Sequence, residues 1–194
     1  MSVITKDIDI IVNELKEDDV VALPTETVYG LAASIFSEKA IKRIFEIKKR
    51  PFSCPLSIAV KDVFSIENVV KEIPQTAKEL ISKYLPGPIT FILMKKDIVS
   101  DIITSGSNFV GVRVPDNVYI QTILSEVKFP IVLTSANIHD MDNCTDAYSV
   151  ELQLGDRVKY ILDGGMCKFG QESTIVSFEN KEMFIVREGA IKIL

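Results

Sequence analysis

This chain has few of the residues from which nucleophilic and metal-dependent sites are usually built. Its 194 residues contain one histidine, His139, in a polar loop. A Ser-His-Asp or Cys-His nucleophile is therefore not expected, and His139 reads as a surface residue. There are three cysteines, Cys54, Cys144 and Cys167, widely spaced and without a Cys-x-x-Cys pair. That pattern argues for a reducing cytosol and against both a disulfide framework and a zinc site. No apolar run approaches the roughly 18 residues of a membrane-spanning helix. The N-terminus, Met1 to Asp7, lacks a signal-peptide pattern. A cytoplasmic protein with no membrane association is the expectation. Neither G-x-x-x-x-G-K-[ST] nor G-x-G-x-x-G occurs, so a nucleotide here needs another phosphate cradle. The net charge of −5 argues against a general nucleic-acid binder but leaves room for a local basic pocket.

Hydrophobic residues make up 47% of the chain and charged residues 25%, as in an ordinary globular protein. The length suits one domain over residues 1–194 with a substantial core. Helix and strand patterns alternate without repeats or low-complexity linkers. Thr5 is placed to cap a helix with the apolar face Ile8, Ile11, Val12 and Leu15. A strand to Leu23, a helix over 38–48 and a strand at Leu56–Val60 follow. A helix at Gln75–Tyr84 ends at Pro86-Gly87-Pro88. Ile89–Met94 and Phe109–Val114 read as strands, Val118–Val127 as a helix and Ile131–Thr134 as a strand. Thr145 is placed to cap a helix to about Leu154. The last strands are Tyr160–Leu162, Ser173–Phe178 and Met183–Arg187. Such alternation predicts an α/β domain around a mixed sheet, with some antiparallel pairing among the late strands.

The polar groups gather where these strands end. Val20–Leu23 leads to Pro24, which cannot donate to a ladder, and Thr25-Glu26-Thr27-Val28-Tyr29 then crowds a turn that Gly30 closes. Ligands in α/β proteins favour such tips, although a turn that satisfies its own backbone accounts for Thr25–Thr27 equally well. Ser37 is a good N-cap, and Glu38 suits the positive end of the helix that follows. Lys48 continues the stripe of Ile41, Ile44 and Phe45, so its ammonium either snorkels outward or enters a polar pocket. Pro51 stops the helix, with Arg50 just before it. Lys39, Lys42 and Arg43 read as a solvated face. Arg113 shares a strand face with Gly111, which leaves space for something to approach; an exposed edge charge is the other reading. Ser135-Ala136-Asn137, Glu172-Ser173-Thr174 and Arg187-Glu188-Gly189 end or begin further strands. Two strand-borne arginines, a Lys/Arg pair and several hydroxyls suit a polyanion bound beside a small zwitterion.

Eight segments also carry a family resemblance. They are Pro24 to Leu31, Lys48-x-Arg50-Pro51, Pro55-Leu56, Pro86 to Thr90, Val112 to Pro115, Ser135-Ala136-Asn137, Glu172-Ser173-Thr174 and Arg187-x-Gly189. In this order they resemble the YrdC-like threonylcarbamoyl-AMP synthase family, in its short, single-domain form. The resemblance implies a twisted mixed parallel/antiparallel sheet flanked by helices, with a basic concave cavity. It implies a nucleotidyltransferase that joins L-threonine, bicarbonate and ATP into threonylcarbamoyl-AMP and pyrophosphate. A tRNA threonylcarbamoyl transferase complex would receive the product, and any tRNA contact would be weak. Lys48 and Arg50 are then the catalytic, phosphate-facing pair. Thr27, Arg113 and Ser173 hold threonine, with Arg113 on its carboxylate. Cys54, Ser135, Asn143 and Arg187 join Lys48 and Arg50 around ATP. Mg2+ arrives with ATP, so no dedicated metal cage is expected. The chain departs from the family at Cys54, Ala59, Phe109 and His139-Asp140. Two rival readings are an RNA-binding protein of the same fold without synthase activity, and a carbamoyl-adenylate-processing domain of a larger carbamoyltransferase. The net charge counts against the first, and the lack of zinc-type cysteines against the second.

Overall fold

In a computed structural model that describes residues 2–178 and 182–193, one ten-stranded mixed sheet carries the chain. Its strands are β1 (Val3–Thr5), β2 (Val21–Leu23), β3 (Gly30–Ser34), β4 (Ser57–Ala59), β5 (Ile89–Met94), β6 (Phe109–Arg113), β7 (Ile131–Ser135), β8 (Tyr160–Leu162), β9 (Thr174–Ser177) and β10 (Phe184–Arg187). The spatial order is β1-β8-β2-β3-β7-β4-β6-β5-β9-β10. Pairing is parallel for β1–β8, β2–β8, β4–β6 and β5–β9, and antiparallel elsewhere. The late strands therefore split: β9 and β10 pair antiparallel, but β8 crosses to the far side and inserts in parallel between β1 and β2.

Among the described residues six α-helices cover the sheet: α1 (Ile8–Lys16), α2 (Glu38–Lys48), α3 (Gln75–Tyr84), α4 (Asp101–Thr104), α5 (Val118–Val127) and α6 (Ala147–Leu154). Five are the expected helices, and α2, α3 and α5 have the expected bounds. The caps of α1 and α6 differ from expectation by one or two residues. Asp7 accepts from the Asp9 N–H, and Asp146 makes a capping box with Ser149. Thr5 and Thr145 thus lie just outside those helices. Helix α2 starts as expected, with Ser37 accepting from the Ala40 N–H. It stops at Lys49, before Pro51 is reached, because Lys49 turns left-handed (φ 51°) and returns its N–H to Phe45 and Glu46. Strands β1 and β3 and helix α4 were not legible, being short or wholly apolar.

Two apolar clusters sit on opposite faces of the sheet, as strand alternation requires. Val20, Ala22, Leu31, Ile58, Phe91 and Val132 join residues of α2, α3 and α6 on one face. Val21, Leu23, Ala32, Ala59, Ile131 and Leu133 join α1 and α5 on the other. The second cluster is far smaller. Helices α1 and α5 pack on β2, β3 and β8 with neighbouring parts of β4 and β7, and further along that face Ser57, Thr90, Arg113 and Ser135 stand among a few apolar side chains such as Ile175. This polar stretch forms the floor of the candidate site.

Candidate active site

A cavity of about 140 Å3 opens over that stretch. It collects residues from the loop after β2 and the start of β3 that continues it, the loop between α2 and β4, the starts of β4 and β5, the ends of β6 and β7, the segment entering β9 and the end of β10. Gly30, expected to close a turn, instead opens β3 opposite Ser135. A Cβ there would come 2.6 Å from Leu133 Cδ1 and 3.2 Å from the Thr134 carbonyl oxygen, so a larger residue would push the Leu133 side chain aside at the pocket floor. Gly111 does leave space, and its neighbours take it: a Cβ would meet Ser57 Oγ at 2.8 Å and Thr90 Cγ2 at 3.1 Å. Both of those residues line the cavity.

One end is built on Arg113. The residue is 7% exposed, and its guanidinium donates from NH2 to Glu26 Oε1 at 2.6 Å and from NH1 to Thr27 Oγ1 at 3.2 Å. Thr27 Oγ1 lies 2.7 Å from Thr25 Oγ1, which donates to the Val28 carbonyl and receives the Thr27 N–H. The Thr25–Thr27 turn thus satisfies its own backbone and also presents groups to the pocket, so the two sequence readings hold together. Thr90 Oγ1 and Ser173 Oγ, both buried, are 2.9 Å apart on the same wall. Tyr29 seals the loop: its hydroxyl donates to the Gly165 carbonyl and accepts from the Gly164 N–H. Burial pushes the Tyr29 phenol well above its ordinary range, so it stays protonated.

The other end is cationic and more open. Arg50 Nε and NH2 donate to the Cys54 and Pro55 carbonyls, at 3.1 and 3.0 Å. Its NH1 lies 3.5 Å from His139 Nδ1, so His139 is half-buried against the site and not a free surface group. Arg187 donates to Glu172 Oε2 at 2.5 Å and to the Ser173 carbonyl from two nitrogens. Lys48 behaves differently. It is 1% exposed, does not line the cavity, and donates from Nζ to Asn137 O and Oδ1 and to the Ser135 carbonyl. Burial, and then the charge of Arg50, lower the Lys48 pKa to about 7. Burial likewise lowers Arg50.

Of the expected site residues, Thr27, Arg50, Arg113, Ser135, Ser173 and Arg187 line one cavity. Lys48 stands behind its wall. Cys54 is half-buried in the turn that holds Arg50, and Asn143 is half-buried in the loop before α6. Glu172, Thr90 and Ser57 line the cavity without having been singled out for a role. A polar residue at an alternate position of an otherwise apolar strand is the signal that finds Thr90 and Ser57. Among the described residues no three His, Cys, Asp or Glu side chains gather as a metal cluster, and Glu172 is the one carboxylate lining the cavity. That donor set fits a cation carried by phosphate oxygens better than one held in a protein cage. No helix of the described residues is long and apolar enough to cross a membrane.

Three arginines line this strand-tip pocket of an α/β protein, and no cysteine or histidine does. Residues 13–189 match the Sua5_yciO_yrdC family model, described as Telomere recombination, and the chain belongs to that family. It is 37% identical over 177 residues to a threonylcarbamoyl-AMP synthase of Pyrococcus abyssi, covering 91% of this chain and 52% of that protein. A threonylcarbamoyl-AMP synthase of Bacillus subtilis is 37% identical over 178 residues, covering 91% of this chain and 51% of that protein. The solved P. abyssi Sua5 complexed with L-threonine superposes with a TM-score of 0.91 at 37% identity, over 94% of this chain and 54% of that one. The chain therefore spans about half the length of these relatives.

Proposed function

We propose that this protein is an L-threonylcarbamoyladenylate synthase, a nucleotidyltransferase that makes threonylcarbamoyl-AMP and pyrophosphate from L-threonine, bicarbonate and ATP. The observation that carries this reading is the division of one cavity into a buried Arg113–hydroxyl end and an open Arg50–Arg187 end. A small amino acid fits the first, and a triphosphate the second. The relatives' names and the L-threonine bound to P. abyssi Sua5 support the same reading.

In this scheme the Arg113 guanidinium pairs with the threonine carboxylate, while Thr27 and Ser173 take its remaining polar groups. The neutral amine adds to carbon dioxide with loss of a proton, or to bicarbonate with loss of water, and either route gives a carbamate. A carbamate oxygen then attacks the α-phosphorus of ATP, forming the new P–O bond as the P–O bond to pyrophosphate breaks. No protein nucleophile enters the sequence. Catalysis rests on placing the two substrates and neutralising charge on the transferring phosphorus. Arg50 and Arg187 face the phosphates, Ser135 contacts the nucleotide, and Cys54 and Asn143 border it. Lys48 acts at this end through the β7 tip that it holds. Mg2+, entering with ATP, would supply further charge neutralisation, and Glu172 is the carboxylate that lines the cavity. The product would pass in the cytoplasm to a tRNA threonylcarbamoyl transferase complex, for threonylcarbamoyladenosine modification of tRNA.

ATP–pyrophosphate exchange that requires both threonine and bicarbonate is the test. Serine should substitute in part, whereas valine should fail by orders of magnitude, because hydroxyl partners left unpaired by an isostere cost far more than lost area. Exchange without threonine, or with valine at a comparable rate, overturns the assignment.

A further inference from the structure

Glu26 is the only buried carboxylate among the described residues, and it does not line the cavity. Its side chain spends one oxygen on Arg113 and leaves the other, Oε2, with no partner. Arg113 Nε is likewise sealed from solvent and unpartnered. A buried ion pair seldom stabilises a fold beyond what a well-packed apolar pair would. Were stability its purpose, a two-point carboxylate–guanidinium clasp would use these orphaned atoms. The observed single-point contact does something else. It fixes NH2 from one side while Thr27, the next residue, fixes NH1, and the cavity side of the guanidinium remains available.

The two holding groups are themselves held. The Glu26 carbonyl accepts the Phe169 N–H at 2.9 Å, and Thr27 is tied through Thr25. One loop thus carries two rigid acceptors for one arginine that ends a strand of a different part of the chain. Glu26 also balances the Arg113 charge while the cavity is empty, which an unpaired buried guanidinium could not tolerate.

We infer that Glu26 is a positioning residue that aims Arg113 at the carboxylate of the amino-acid substrate, through the Glu26 Oε1–Arg113 NH2 contact. This inference rests on the proposed threonine end of the site. It predicts that Glu26→Gln, which keeps an acceptor but removes the charge, weakens threonine binding at least about tenfold by calorimetry, as loss of a charge-assisted contact would. ATP binding should hold. In an Arg113→Lys background the same Glu26→Gln change should add little, since its route to the substrate is already cut.

Unchanged threonine affinity in folded Glu26→Gln overturns the inference, as does equal weakening of both ligands or full additivity with Arg113→Lys. Should Glu26→Gln fail to fold, Glu26→Asp keeps the charge and shortens the reach. Intact threonine binding in that variant is equally fatal. If Arg113→Lys itself leaves threonine binding intact, the threonine-end assignment fails instead, and the two failures are told apart.

Discussion

The two ends of the cavity use the same chemistry, an arginine against a carboxylate, in opposite surroundings. At one end Arg113 and Glu26 have side chains only 9% and 3% exposed, and the pair is locked by a hydroxyl chain. At the other, Arg187 and Glu172 are 38% and 32% exposed, and Arg50 leans on two backbone carbonyls. A buried, pre-aimed guanidinium selects a small ligand of one shape. Half-open arginines held by carbonyls neutralise a larger, more flexible anion without dictating its geometry. In the proposed scheme, rigidity at one end and adaptable charge at the other suit a reaction that joins an amino acid to a nucleotide.

The comparison breaks most sharply at the open end. Arg50→Ala should slow adenylate formation by roughly 100-fold or more with the fold intact, by analogy with loss of a charge-stabilising donor. Lys48→Ala should lower the rate too but behave differently in a melting experiment. Its ammonium holds the Ser135 and Asn137 carbonyls as well as Asn137 Oδ1, which Ser135 Oγ would still serve, and removing it from those two carbonyls should cost roughly 1–3 kcal/mol of stability. Arg50→Ala with full activity would remove the phosphate role, and a Lys48→Ala protein of unchanged stability would remove the supporting one.

This distinction between Lys48 and Arg50 marks the limit of what the chain reveals before folding. That Lys48 lies on the buried stripe was legible, because it follows Ile44 by four residues. Its acceptors, nearly ninety residues away on the β7 tip, were not. Strand-tip clusters such as Ser135-Ala136-Asn137 and Glu172-Ser173-Thr174 were legible as punctuation of apolar runs. Their convergence was not, since it depends on the non-local pairings that order the strands β7-β4-β6-β5-β9. Thr25-Glu26-Thr27 shows the same limit at close range. Local pattern identified a turn and a crowd of polar groups. Only the arrival of β6 beneath it turned Glu26 from a solvent-facing acid into the partner of Arg113.

At the closed end a subtler change suffices. Arg113→Lys keeps the charge but loses the planar fork that can meet Glu26, Thr27 and a carboxylate together. Threonine binding should weaken by about 1.5–3 kcal/mol, roughly 10- to 150-fold, while ATP affinity changes much less. Because Arg113 alternates with the buried Val112 and Val114, thermal stability has to be measured alongside. A loss of ATP binding with threonine binding preserved would assign Arg113 to the nucleotide and dissolve the division into two ends.

The smallest effect belongs to the exposed carboxylate. Glu172 bonds Arg187 and adds a negative charge close to Lys48 and Arg50, partly offsetting the burial that lowers both. Glu172→Gln therefore removes a repulsion that an incoming phosphate chain meets. Since the pair is about a third exposed, solvent screens it, and its contribution should stay below about 1 kcal/mol. ATP measured without magnesium should bind a few-fold more tightly to Glu172→Gln at low salt. That gain should fade as ionic strength shortens the screening length toward roughly 8 Å and below. Melting temperature should move little. A loss of affinity well beyond tenfold, persisting at high salt, would mean that Glu172 holds the nucleotide directly. The open end would then be as pre-aimed as the closed one, and the contrast between them would have to be abandoned.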